Sequence, residues 1–387
     1  MRTRPGTTPG AEPGTEPGTE PGTGPSTGPG TGRGAGLGPD ARVDFGRRVV
    51  RWRRAGFWLR LDVRTVVVCA AVAAATALVA LVTLGSGDYV LSIGEVAATV
   101  VGTEDGFART VVLEWRMPRV FASIVFGAAL GVSGAIFQSL TRNPLASPDI
   151  IGFSAGSYTG ALIVIIAIGG SYLDIAAGAL VGGVATAAVV YVLAFKRGVQ
   201  GFRLIVVGIA ISAMLTSLNT WMMLTADLEV AMAAAVWGAG TLNATGWEQA
   251  GIGAVVIVVV FCVVAGLARP LRQLELGDDA AKALGVAAEP TRLTLIILGV
   301  ALTATVTAAA GPIAFVALAA PQIARRLART PGVALAPAAF VGAFLLCAAD
   351  YVAQHVLPTA IPVGVVTVVV GGAYLVWLLI HEARRRI

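Results

Sequence analysis

Charge is what this sequence has least of. Only 13% of its 387 residues are Asp, Glu, Lys or Arg, about half the share usual in a soluble domain. Lysine is rarer still: the basic residues are nearly all Arg, and Lys196 and Lys282 are the only lysines. A phosphate-binding loop needs Gly-Lys-Ser/Thr. Phe195-Lys196-Arg197 and Ala281-Lys282-Ala283 do not supply it, so an ATPase activity of the chain's own is excluded. Histidine is limited to His355 and His381, which makes a histidine metal site improbable. Cysteine is limited to Cys69, Cys262 and Cys347, one in each of three apolar segments, without disulfide or ligand spacing. The formal charge is +6, but the arginines flank apolar runs and form no single patch. They read as a positive-inside signal and not as a nucleic-acid surface.

What the chain has in abundance is apolar residues, 56% of the total, and glycine, 48 residues. Its mean hydropathy is +0.80. Most of it belongs in lipid, where small residues let helices approach closely. Residues 1–41 differ: Pro and Gly alternate with Thr and Glu, which reads as a disordered tail. No apolar stretch of a secretory signal follows its first arginines. Residues 42–64 form a basic juxtamembrane segment with Trp52, Phe57 and Trp58. Arginine beside interfacial aromatics suits a cytoplasmic flank, with an amphipathic surface helix as the lesser alternative.

A spanning helix needs about 20 mostly apolar residues. Such runs recur at 65–87, 120–141, 150–173, 175–195, 204–226 and 249–268. The run 293–324 is too long for one span, and Gly311-Pro312 divides it, leaving a short span at about 312–328. The runs 330–349 and 351–380 follow, the last interrupted by Pro358 and Pro362. The expectation is an all-α polytopic membrane protein with about ten transmembrane helices occupying 65–387, and an outer loop with a short helix at 230–247. An even count puts both termini on one side. The arginines at 47–64, 269–292, 325–329 and 384–386 make that side cytoplasmic. Arg109, Arg116 and Arg119 break the bias by falling outside, next to Glu104, Asp105 and Glu114.

Four segments carry chemistry. In EWRMPR (114–119), Arg116 and Arg119 are three apart and share a helix face. Interfacial snorkelling and docking of an acidic partner are both open readings. In QSLTRNPLASPDIIGFSAGS (138–157), Pro144 and Pro148 stop any helix, and Asn143 and Asp149 bring polar groups to the membrane boundary. Irregular backbone at that depth persists only inside protein or beside a water-filled cavity. The same stretch contains Gly152-x-Ser154-x-Gly156, the spacing of a serine-hydrolase elbow. No strand precedes it, however, and its candidate base, His355, falls at the other face of the membrane. In LELGDDAAKALGV (274–286), Gly277 and Gly285 bracket two helical turns. Asp278 and Asp279 favour the helix start, and Ala280, Ala281 and Ala283 leave a surface open to close contact. A plain loop helix is the alternative. In AGPIAFVALAAPQIARR (310–326), Gly311, Pro312 and Pro321 make a broken helix, a device of transporter cavities.

These segments and IPVGVVTVVVGG (361–372), in this order, resemble the iron-chelate, FecCD-type permeases of ABC importers, a family that includes vitamin B12 permeases. The resemblance covers about 85–387. It implies the type II ABC importer permease fold with ten spans per subunit, a second homologous permease subunit (a heterodimer), two ATPase subunits that bind ATP and Mg, and an external siderophore-binding protein. No cofactor is implied for this chain. The implied cargo is a ferric siderophore of the catecholate, enterobactin kind; another siderophore, haem or cobalamin is the alternative. Arg116 and Arg119 match the arginines that dock the binding protein. Asn143, Pro144 and Leu145 match the turn at the cytoplasmic gate, with Ser154 beyond it as a packing or pathway hydroxyl. Gly277, Asp278, Asp279, Ala280, Lys282, Ala283, Leu284 and Gly285 match the coupling helix that sits in the ATPase groove. Three positions depart from the pattern: Gln322 where many members have His, Gln354 where several have Arg, and Ala360 where many have Glu. A proton-coupled secondary transporter would need a buried relay acid, and Asp174 and Asp350 are the only acids near span ends.

Overall fold

The computed structural model describes residues 49–54, 57–103, 106–149, 151–169, 171–194, 201–332 and 334–385. The tail read at 1–41 and the basic pair Lys196-Arg197 lie outside them. Ten long helices follow one another in the expected order among the described residues. They are α1 (Val63–Gly85), α3 (Phe107–Thr141), α4 (Phe153–Ala167), α5 (Tyr172–Ala194), α6 (Gly201–Thr225), α8 (Trp247–Glu275), α10 (Ala288–Ala310), α11 (Val316–Ala328), α12 (Leu335–Val356) and α13 (Val363–Arg385). Short helices α2 (Ile93–Val101), α7 (Leu228–Gly238) and α9 (Asp278–Ala283) lie between them. Seven of the long helices are long and apolar enough to cross a membrane by themselves. The chain is thus an α-helical polytopic membrane protein.

Three differences from the sequence expectation have physical causes. The basic segment contains an antiparallel pair, β1 (Val49–Arg54) and β2 (Phe57–Asp62), with Val49 opposite Asp62. Valine and aromatics interleaved with arginine favour a pleated ribbon over a helix. Asp62 then caps α1, its carboxylate accepting from the Arg64 amide at 3.1 Å. The second span starts 13 residues earlier than the apolar run and is 35 residues long. Its stretch Thr110–Arg116 is π-helical. Pro118, which lacks an amide donor, follows directly at the start of the regular turns, so the π segment lets the helix continue through a proline. The short span is confirmed: α10 ends at Ala310, non-helical backbone runs through Gly311–Phe315, and α11 has only 13 residues.

Helix α3 is the centre of the molecule and packs against α8, α10, α11 and α12, while α4 packs against α5 and α6. Its core residues include Phe126, Leu130, Ile136 and Phe137, all nearly inaccessible. Backbone approach sets these crossings. A Cβ on Gly131 would overlap the Ala338 carbonyl of α12, and one on Gly160 of α4 would overlap the Gly178 carbonyl of α5. Gly127-x₃-Gly131 faces Ala338-x₃-Gly342, and Gly156-x₃-Gly160 faces Gly178-x₃-Gly182. The Gly-x-Ser-x-Gly pattern is therefore half of a helix-crossing motif.

Overpacking one of these contacts costs about 1–3 kcal/mol or more. Gly131→Val is expected to lower the heat-unfolding midpoint of the detergent-purified protein. Gly266→Val on α8, where an added Cβ meets nothing within 4 Å, leaves it unchanged.

Candidate functional site

The four candidate segments sit at the two ends of α3 and in a cleft beside it. At the first end, the π-helical turns aim Arg116 at the loop between α1 and α2. Its Nη1 donates to the Leu84 carbonyl and its Nη2 to the Tyr89 carbonyl, both at 2.8 Å. Arg119 has a different environment. Its Nε and Nη2 donate to the two oxygens of Asp350 on α12, at 2.8 and 2.6 Å. Asp350 is 1% exposed, so this bidentate pair is an internal neutralisation. The two arginines share a face but not a role: Arg119 is paired with a carboxylate, and Arg116 is bound to carbonyls, which leave its charge in place. Trp247, the first residue of α8, donates from Nε1 to the Leu113 carbonyl at 2.7 Å and closes this end.

At the other end α3 stops at Arg142, whose backbone is left-handed (φ 51°). A compact turn follows. The Asn143 side chain accepts from the Leu145 amide at 2.9 Å, and the Asn143 carbonyl accepts from the Ala146 amide at 3.1 Å. The Pro144 carbonyl accepts from Gln322 Nε2 at 2.7 Å. Gln322, a departure from the family pattern, is the residue that ties this turn to α11. One helical turn earlier, Gln138 on α3 donates to the Leu318 carbonyl at 2.9 Å. Ser154 in the first turn of α4 donates to Asp149 Oδ1 at 2.5 Å. Its hydroxyl thus faces an acid with no imidazole beside it. His355 stacks on Tyr351 one turn beyond Asp350, at the far end of a helix about 50 Å long. No hydrolase dyad can form.

Helix α9 is held close to this turn. Gly277 (φ 118°) and Gly285 (φ 83°) bracket it in backbone that side chains strain. Ala281 is buried and anchors the helix, while Asp279, Lys282, Ala283 and Leu284 are exposed and Ala280 is half-buried. Asp278, the first residue, gathers two arginines on Oδ1: Arg292 of α10 at 2.6 Å and Arg142 at 3.0 Å. Arg292 also donates to Glu289 at 2.8 Å. The Arg292 guanidinium holds the Asp278 carboxyl below the ordinary carboxylate range, against the opposing effect of burial. The carboxylate therefore stays charged through neutral and mildly acidic pH. Its contribution to stability is present above the unfolded value, about 3.9, and is lost only as pH falls through the lower folded one.

Between the two ends, α4, α6, α13 and the Gly311–Phe315 break enclose an open cleft of about 760 Å³. Ser154, Tyr158, Thr216, Asn219 and Thr220 supply its polar atoms, and none of the residues lining it is charged. Asn219 is fixed by Thr159, whose hydroxyl lies 2.7 Å from Asn219 Oδ1. The sequence reading missed Tyr158 and Asn219. Single polar residues inside apolar runs were the available signal. A second, apolar crevice of about 840 Å³ lies between α5, α8 and α10. It contacts neither the turn nor α9, and its lining of Leu, Ile, Val and Ala suits lipid. The cleft that shares Ser154 with the turn is the functional candidate.

Comparison with known proteins agrees with this geometry. The FecCD transport family model matches residues 73–381. The chain is 46% identical to the ferric enterobactin transport system permease protein FepG of Escherichia coli K12, over 84% of this chain and 98% of that one. It is 39% identical to the iron(3+)-hydroxamate import system permease protein FhuG of Bacillus subtilis, over 70% of this chain and 83% of that one. A solved structure described as an inward-facing metal-chelate type ABC transporter superposes with a TM-score of 0.71 at 27% identity, covering 82% of this chain and 99% of its own. The chain belongs to the FecCD transport family, the membrane-spanning permeases of ABC importers.

Proposed function

We propose that this chain is the permease subunit of an ATP-driven importer that carries ferric siderophores of the enterobactin-like catecholate class into the cytoplasm. It supplies the path, and partner ATPase subunits that bind ATP and Mg supply the energy. The observation that carries this reading is the arrangement along α3: an uncancelled arginine at one end, a glycine-bracketed exposed helix at the other, and a charge-free cleft between them. Kinship at 46% identity with a ferric enterobactin permease supports the catecholate. The kinship with a hydroxamate permease keeps other siderophores as the competing cargo.

On this reading the Arg116 end faces outward, and the basic end, with both termini, faces the cytoplasm. A loaded binding protein docks on the outer end. Arg116 offers the charge, and Arg119, held by Asp350, sets the helix face that presents it. The open side of the cleft is closed by a second, homologous permease subunit. Leu224 on α6 is 81% exposed and Val369 on α13 is 66% exposed, an apolar rim suited to such a partner. Asn143–Leu145 forms the inner gate, and Gly277–Gly285 seats in the ATPase. The bidentate Arg119–Asp350 pair argues against a proton-coupled carrier, because a relay acid must exchange its proton and Asp350 is held charged by its arginine.

Uptake of labelled ferric chelates in a deletion strain complemented with the gene tests the cargo. Ferric enterobactin uptake is expected to return and ferric hydroxamate uptake to stay at background. The opposite pattern reassigns the substrate, and uptake that survives loss of the ATPase but collapses with the proton gradient removes the class. The two arginines are expected to separate. Arg116→Glu weakens binding-protein docking at low salt, as like charge against an acidic partner must, and flattens the salt dependence. Arg119→Ala strands a buried carboxylate at a cost of about 3–5 kcal/mol and shows first as a lower unfolding midpoint. At α9, Gly277→Val is expected to abolish uptake and co-purification of the ATPase while chelate binding to the external protein is unaffected.

A further inference from the structure

The gate turn and the coupling helix are expected to act together, but nothing in their sequences joins them. They are separated by more than 130 residues of chain. In the structure a single side chain spans the gap. Arg142 directly precedes Asn143, and its Nη2 donates to both the Leu274 carbonyl and Asp278 Oδ1, each at 3.0 Å. Leu274 belongs to the last turn of α8, and Asp278 is the first residue of α9. Beside it, Ser139 donates to Glu275 Oε1 at 2.8 Å. The last turn of α3 is therefore fastened twice to the α8–α9 junction, and the charged fastening is the one adjacent to the gate. On its other side the turn is held by Gln322 through the Pro144 carbonyl.

We infer that Arg142 is a strut that carries displacement of the coupling helix to the gate turn. The inference rests on the reading of 277–285 as the ATPase contact and assigns a residue that this reading leaves out. Three features fit the task. The left-handed backbone at Arg142 turns its side chain back under the helix end while the chain leaves in the other direction. Asp278 cannot swing freely to follow another partner, because buried Arg292 (5% exposed) holds the same oxygen at 2.6 Å. Arg142 and Asp278 are themselves partly open, at 48% and 39% of their side chains. A pair so exposed contributes little to stability, so its removal tests transmission separately from folding. Arg142 is a positioning residue: it acts through the turn and touches no cargo in this account.

The test uses the whole importer in proteoliposomes, with both permease subunits, the ATPases and a ferric catecholate-loaded binding protein. Arg142→Gln is expected to assemble, to keep its ATPase rate, and to lose uptake per ATP hydrolysed by about tenfold, inside the usual range of coupling between sites. Arg142→Lys, which keeps the charge and can still reach Asp278, is expected to recover most of that ratio. Wild-type uptake per ATP in Arg142→Gln overturns the strut, as does a loss of uptake that merely follows loss of the assembled complex. Gly277→Val separates the two levels of the argument. If it still releases the ATPase while Arg142→Gln transports normally, the coupling helix stands and the strut falls. If Gly277→Val keeps both ATPase and uptake, the coupling reading itself falls and the strut with it.

Discussion

Backbone contact between α3 and its neighbours is the constraint on which the rest of the molecule depends. In lipid a helix gains no hydrophobic energy by burying leucine, because the acyl chains are as apolar as the core. Association must come from close van der Waals packing, and that needs residues without side chains at the crossing. Gly131 against Ala338, Gly134 against Ala317 and Gly127 against Gly342 bring α3 within backbone reach of α11 and α12. With α3 fixed in this way, its two ends become fixed points. The Arg119–Asp350 pair and the Arg142–Asp278–Arg292 cluster are both attached to that single rigid element.

The division of polar chemistry follows from the same solvent. Ionic contacts among the spans lie at the ends of α3, where water or headgroups lower the desolvation cost. Inside the bundle the polar residues are hydroxyls and amides that satisfy backbone or one another: Ser133 donates to the Gly299 carbonyl at 2.7 Å, and Gln138 donates to Leu318. The break at Gly311–Phe315 looks like an exception. It is tolerated because it lies against Asp149 and lines the cleft with Pro312 and Ala314, the situation in which irregular backbone survives at membrane depth.

Much of this was legible in the sequence, and the boundary between the legible and the rest is physical. Span number and order follow from hydropathy and proline positions, and both survive in the structure, including the short α11. Helix α9 could be read from Gly277 and Gly285 because left-handed backbone restricts residue choice. The hairpin at Val49–Asp62 could not be separated from a basic flank, since alternating arginine and aromatic residues satisfy either. The partners of Arg116 and Arg119 were also hidden. Three-residue spacing shows a shared face, but the Leu84 carbonyl and the Asp350 carboxylate that divide their roles are fixed by tertiary packing. Gln322 is the instructive case. As a departure from a family pattern it suggested a lost contact, whereas its amide makes a bond to Pro144 that holds the gate turn.

The absence of charge in the cleft also has a mechanical meaning. A path that paired a charged chelate with buried arginines would hold it in a deep well, because such pairs strengthen as the dielectric falls. Release into the cytoplasm would then have to overcome that well in every cycle. Hydroxyls and one amide on α4 and α6 offer hydrogen bonds comparable to those of water, so the cargo gains little by staying. Discrimination between chelates then falls to a partner that can bind tightly because it does not have to let the cargo through. What this chain must do well is open and close, which explains where its few charges are placed: at the two ends of one stiff helix, where they hold the elements that move and leave the passage itself nearly indifferent to what crosses it.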